Sequence, residues 1–165
     1  MKWLSGVAAI VVVFLVGCSE TPVEYVAEEF TVYGIARQPG YAWFMQEKDT
    51  YQPDAAKVAQ IQAKVGEVSR CYLFVNPSCT CSGTQKHFPH FVRCMELAGF
   101  PLDSMTILSM RSASTKHPYM NRFQVSRLPT FFLVLRSGNE RKIEPPEHDA
   151  NTRIEDLIIQ ALQGQ

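Results

Sequence analysis

Apolar and polar positions change their period several times along this chain, and each change marks a predicted element. After a single cation, Lys2, an apolar run from Trp3 to Val16 carries no charge and no proline. It is short for a bilayer span, which takes ~20 apolar residues, and it reads as an export signal. Residues 30–36 and 41–47 are rich in β-formers and flank Arg37-Gln38-Pro39-Gly40. A Pro-Gly pair between two such runs predicts a β-hairpin. Residues 54–65 place Val58, Ile61 and Val65 on one side, with Asp54 suited to start a helix and Gly66 to end it.

The apolar run Cys71-Tyr72-Leu73-Phe74-Val75 suits a buried central strand. Asn76-Pro77-Ser78 breaks it and leads into a cysteine-bearing loop. Phe88, Phe91, Val92, Met95 and Ala98 then recur at helical spacing, and Gly99 ends that helix. Residues 105–110 and 130–136 predict two further buried strands. Between them lie a polar loop over 112–119 and a short turn or helix around 120–123. Ser137-Gly138-Asn139 turns the chain into 140–144. Thr152-Arg153-Ile154-Glu155 reads as a capping box for a last helix, whose apolar face holds Ile154, Leu157, Ile158, Ala161 and Leu162. This order predicts an α/β fold, a sheet with helices on both faces.

With 165 residues the chain suits one domain with a real core. Sixteen Lys and Arg balance sixteen Asp and Glu, so no electrostatic footprint for nucleic acid is present. Apolar residues at 46% and charged residues at 19% exclude wholesale disorder.

Leu15-Val16-Gly17-Cys18 resembles the bacterial lipobox. The resemblance implies cleavage before Cys18, diacylation of its sulfur and acylation of its amine; an uncleaved N-terminal anchor is the alternative. Ser19, not aspartate, follows the cysteine, which by the sorting habit of such lipoproteins implies the outer membrane. Several acyl chains anchor a protein durably. The expected organisation is a signal over 1–17, a tether over 18–29, a β-hairpin extension over 30–52 and the main domain over 53–165. It would face the periplasm, where disulfides persist. Cys71, Cys79, Cys81 and Cys94 remain, and four cysteines allow three pairings.

Two signatures within this order resemble the thioredoxin superfamily. The first is Cys81-Ser82-Gly83-Thr84-Gln85-Lys86-His87-Phe88-Pro89, in which Cys81 and Pro89 keep the family's spacing between the first catalytic cysteine and the helix-kinking proline. The second is Leu128-Pro129-Thr130 with the later Ser137-Gly138-Asn139 turn, similar to the segment whose proline is cis and faces the active cysteine. The resemblance covers about two thirds of the chain, from Asp54 onward, and implies a thioredoxin-like fold with a central mixed sheet. The departures are as informative. Thr84 stands at the second catalytic cysteine, Val75 at the buried acid, and Thr80 at the usual tryptophan. Cys79 instead makes a C-x-C with Cys81. A competing register takes Cys79 as the nucleophile, with a two-residue insertion before Pro89.

Thiol-disulfide exchange needs a thiolate, and a helix N-terminus favours one through its unpaired N–H groups and dipole. The resemblance therefore implies Cys81 as nucleophile, with Thr84 tuning it by a hydrogen bond and Pro129 shaping the substrate groove. Cys79 is left to resolve the mixed disulfide. A C-x-C ring is small and departs from relaxed geometry, which suits an easily reduced oxidant or isomerase-like donor. Cys71 and Cys94 are either a strand-to-helix disulfide or two buried thiols. Cys79, Cys81, His87 and His90 bring soft and imidazole ligands close in sequence, but no tight zinc pattern is matched. No metal and no cofactor is assigned, and the four histidines read as solvated side chains. Tyr33, Tyr41, Trp43 and Phe44 read as half-buried sheet aromatics or as an added docking surface. The expected activity is thiol-disulfide exchange on envelope or secreted proteins. The competing expectation is a redox-inactive lipoprotein that binds or scaffolds an envelope assembly, such as a secretion or conjugation apparatus.

Overall fold

The computed structural model describes residues 25–149 and 151–164. The export segment, Cys18 and the first part of the tether lie outside the described residues. Among the described residues, no helix is long and apolar enough to cross a membrane.

In chain order the elements are β1 (Glu28–Phe30), α1 (Val32–Ile35), α2 (Phe44–Thr50), α3 (Ala55–Val65), β2 (Val68–Val75), α4 (Phe88–Leu97), β3 (Met105–Ser109), β4 (Thr130–Leu135), β5 (Glu140–Ile143) and α5 (Ile154–Gln163). The strands form one sheet in the order β1-β3-β2-β4-β5. β2 and β3 run parallel across the α4 connection, and the other pairs are antiparallel. The chain is therefore an α/β protein with a mixed sheet flanked by helices.

Side chains alternate across a strand, so the central strands feed two cores. Leu73, Val75, Phe131 and Leu133 face one way, and Ile35, Phe44, Ile61, Phe91 and Ile158, one from each helix, pack on that side. Tyr72, Phe74, Phe132 and Val134 face the other way, against Tyr119, Phe123, Val125 and Leu128. Helices on both faces were expected, yet the second face is covered by the irregular segment between β3 and β4. Pro118 interrupts that segment, Pro129 ends it, and its apolar residues follow no helical period, so it cannot lay down a long helix.

The expected β-hairpin over 30–52 is not formed. Only Phe30 joins the sheet there; α1, a 3-10 turn at Pro39–Tyr41 and α2 follow. Val32 and Ile35 are buried three apart, and Phe44 and Lys48 four apart, while Tyr33 between the first two is 55% exposed. That is a helical period, and it overrides the β-propensity of the aromatic side chains. The Thr31 hydroxyl accepts from the Gly34 N–H at 3.0 Å and caps α1. The end of the expected tether is also ordered: β1 pairs Glu28 with Ser109 and Phe30 with Ile107, and Ala27 is buried in the second core.

Asp54 caps α3 as expected, accepting from the Ala56 and Lys57 N–H groups at 2.8 and 3.2 Å. The capping box at α5 does not form. The helix is capped one residue later, at Arg153, the Thr152 hydroxyl donates to Asp149, and Glu155 turns inward.

Candidate functional site

The turn after β2 is tied down by Asn76. Its Oδ1 accepts from the Ser78 N–H at 2.9 Å and its Nδ2 donates to the Arg111 carbonyl at 3.1 Å, holding the turn to the chain leaving β3. Cys79 follows, and its N–H donates to the Asn76 carbonyl at 3.2 Å. Cys79 and Cys81 form a disulfide, with a Cα–Cα distance of 5.3 Å. Immediately beyond it the chain enters a π-helical turn, Gly83–His87, that runs into α4. The wider turn precedes Pro89, which has no N–H to return to the preceding turn.

The two sulfurs have different surroundings. Cys79 is half-buried and lines an open cleft of ≈ 230 Å³ with Asn76, Arg111, Arg127, Leu128 and Glu147. Cys81 is only 9% exposed. The Cys81 N–H donates to Cys79 Sγ at 3.2 Å. Spacing to Pro89 implies attack by Cys81, whereas the sulfur open to the cleft is that of Cys79. Thr84 is fully buried, and its hydroxyl has no hydrogen-bond partner among the described residues. The expected bond from Thr84 to the Cys81 sulfur is therefore not made in the disulfide form.

The Leu128–Pro129 peptide bond is cis, and the proline ring lies against Gly83. A Cβ built on Gly83 would sit 2.7 Å from Pro129 Cδ and 3.4 Å from Glu147 Cα. The Gly83 N–H also donates to the Glu147 carbonyl at 3.1 Å. One residue without a side chain thus joins the helix start, the proline and the β5–α5 loop. Gly83→Ala is expected to cost about 1–3 kcal/mol by overpacking, read as a lowered urea midpoint with an unchanged slope.

Cys71 and Cys94 are free, fully buried thiols and not the strand-to-helix disulfide. Burial pushes both thiols well above their ordinary range, which keeps them in the unreactive protonated form. The expected solvated histidines are likewise corrected at two positions. His87 is 1% and His117 8% exposed, and burial lowers both imidazoles below their usual value. His90 stacks on Tyr51 with ring centroids 3.5 Å apart and meets Glu47 at 2.8 Å. His148 alone of the four is open to solvent. Neither His87 nor His90 joins the two cysteines as a ligand set. The side chain that stands beside them is Glu147, whose carboxylate oxygen and both sulfurs of the disulfide all lie within 4.8 Å of one another. Sequence reading assigned nothing to Glu147, which is far from the cysteines along the chain. The only local signal was the stiff Pro145-Pro146 pair that presents it.

The chain matches no family model, no curated protein and no solved structure.

Proposed function

We propose that this protein is a thiol-disulfide exchanger of the thioredoxin-like class, acting on cysteine-containing envelope or secreted proteins. The observation that carries the reading is the Cys79–Cys81 disulfide at the start of a helical segment, opening through Cys79 into a cleft. The mixed sheet and the cis Leu128–Pro129 bond beside Gly83 support it. The division of labour follows accessibility: Cys79 takes the substrate and Cys81 resolves. A substrate thiolate attacks Cys79 Sγ, the Cys79–Cys81 bond breaks, and its electron pair stays on Cys81 Sγ, which takes up a proton. A second substrate thiolate then attacks the substrate sulfur of the mixed disulfide and releases Cys79 as thiolate. Two substrate thiols leave as a disulfide and the protein is left as a dithiol; the reverse sequence reduces a substrate. In the same reading the chain is held at the outer membrane, facing the periplasm, by acyl chains on Cys18. Cleavage and acylation there are read directly from the mass of the N-terminal peptide.

The test is a redox titration of the full-length chain in detergent, in glutathione buffers, with differential alkylation and peptide mass spectrometry. Cys79 and Cys81 are expected to change state together and reversibly, while Cys71 and Cys94 stay reduced and unlabelled until the protein is unfolded. A Cys79–Cys81 pair that stays locked at every potential would remove the exchange reading. It would leave a redox-inactive binding lipoprotein, the reading that Thr84 and Val75 favour by standing where the family has a cysteine and an acid.

A further inference from the structure

We infer that Glu147 is the proton acceptor of the exchange reaction, taking the proton from the Cys81 thiol when that residue resolves a mixed disulfide. This role rests on the exchange reading above. Three observations carry it. Cys81 is 9% exposed, and burial disfavours the thiolate it must become. β2, which runs into the cysteine-bearing turn, ends at Val75 and carries no acidic residue. The Glu147 carboxylate stands within 4.8 Å of both sulfurs, on a loop pinned by the Gly83 N–H and preceded by two prolines. At that distance an exposed glutamate reaches a thiol by a change of rotamer or through one water.

The step balances as follows. The Cys79 thiolate attacks a disulfide, forms a mixed disulfide and releases one thiolate. The Cys81 thiol then passes its proton to the Glu147 carboxylate. Its sulfur attacks Cys79 Sγ, the Cys79–substrate bond breaks, and the electron pair leaves on the second substrate sulfur. Glu147 returns its proton to that thiolate or to water. Other charged groups face this point. His148 stands 3.9 Å from the Glu147 carboxylate, Arg111 and Arg127 line the same cleft, and the buried His87 interacts with the loop through the Pro146 backbone and the Asp149 carboxylate. His148 is the neighbour of Glu147 that its variant controls for.

The probe is oxidised glutathione added to the reduced full-length protein. The lifetime of the Cys79–glutathione adduct is followed by acid quench and mass spectrometry between pH 5 and pH 9. Glu147→Gln is expected to lengthen that lifetime about tenfold near pH 6–7. The deficit should narrow steadily as pH rises, because hydroxide increasingly replaces the carboxylate as the acceptor of the thiol proton. Glu147→Asp should restore part of the rate, and His148→Gln should leave the profile in place. An unchanged lifetime in Glu147→Gln, or a slowing that is equal at every pH, overturns the role. If the wild-type protein forms no adduct at all, the exchange reading fails first and this role fails with it.

Discussion

Cys79→Ser is expected to lower thiol-disulfide exchange by at least ~10³-fold, while Cys81→Ser should still attack and then stall as a mixed disulfide at Cys79. The asymmetry follows from the two environments. Cys79 lines the cleft and is reachable there, and its sulfur also accepts the Cys81 N–H. Cys81 is only 9% exposed, and in the proposed exchange it acts only after Cys79 has been taken. The check is an adduct count with a cysteine-containing peptide disulfide. Adduct on Cys81→Ser and none on Cys79→Ser supports the assignment. The opposite pattern would make Cys81 the attacking sulfur, as its spacing to Pro89 implies.

Glu155→Ala should cost about 3 kcal/mol of stability, the largest loss expected from a single polar side chain here. The carboxylate is 0% exposed, and it accepts from Tyr51 Oη at 2.8 Å, the Asp54 N–H at 3.0 Å and Arg153 Nη2 at 2.7 Å. Removing it takes the shared acceptor from donors at the ends of α2, α3 and α5, among them the residue that caps α3. Burial works to raise the Glu155 carboxyl, but the bonds from Arg153, the Asp54 N–H and Tyr51 outweigh it and hold it below the ordinary range. A depressed carboxyl contributes stability that is complete above its unfolded value of ~4.3 and is lost as pH falls through the lower folded value. Chemical denaturation at several pH values should therefore show an acid limb that Glu155→Gln flattens.

The central strands were legible because 71–75, 105–110 and 130–136 are apolar runs with no competing pattern, and β2, β3 and β4 fall on them. α3 was legible from its cap and its 3-4 spacing, both of which act locally. Residues 30–47 carry aromatic side chains of high β-propensity, but their buried residues fall at helical spacing, and burial decides the outcome. His87 and His117 look like surface residues in a polar context; their burial comes from segments that reach them only in three dimensions. At the candidate site, Cys79, Cys81 and Pro129 could be named from the chain, since local motifs carry them. Glu147 could not, because its place beside the sulfurs depends on the β4–β5 hairpin and on the Gly83 contact across to another element. Glu155 was assigned to a cap for a related reason: a one-residue shift of the helix start turns a surface partner into a buried one.

The segment between β3 and β4 roofs the second core with Phe123 and Leu128 and also forms the wall that faces Cys79, through Arg111, Arg127 and the same Leu128. The lining that would sort substrates is thus continuous with structural hydrophobic packing. Changes of selectivity that involve Leu128 are changes of core packing as well, so drift in this wall is limited by folding before it is limited by chemistry. The face of the cleft supplied by the β5–α5 loop is held differently, through the backbone bond from Gly83 to Glu147, so its side chains are constrained less by core packing than those of the opposite wall.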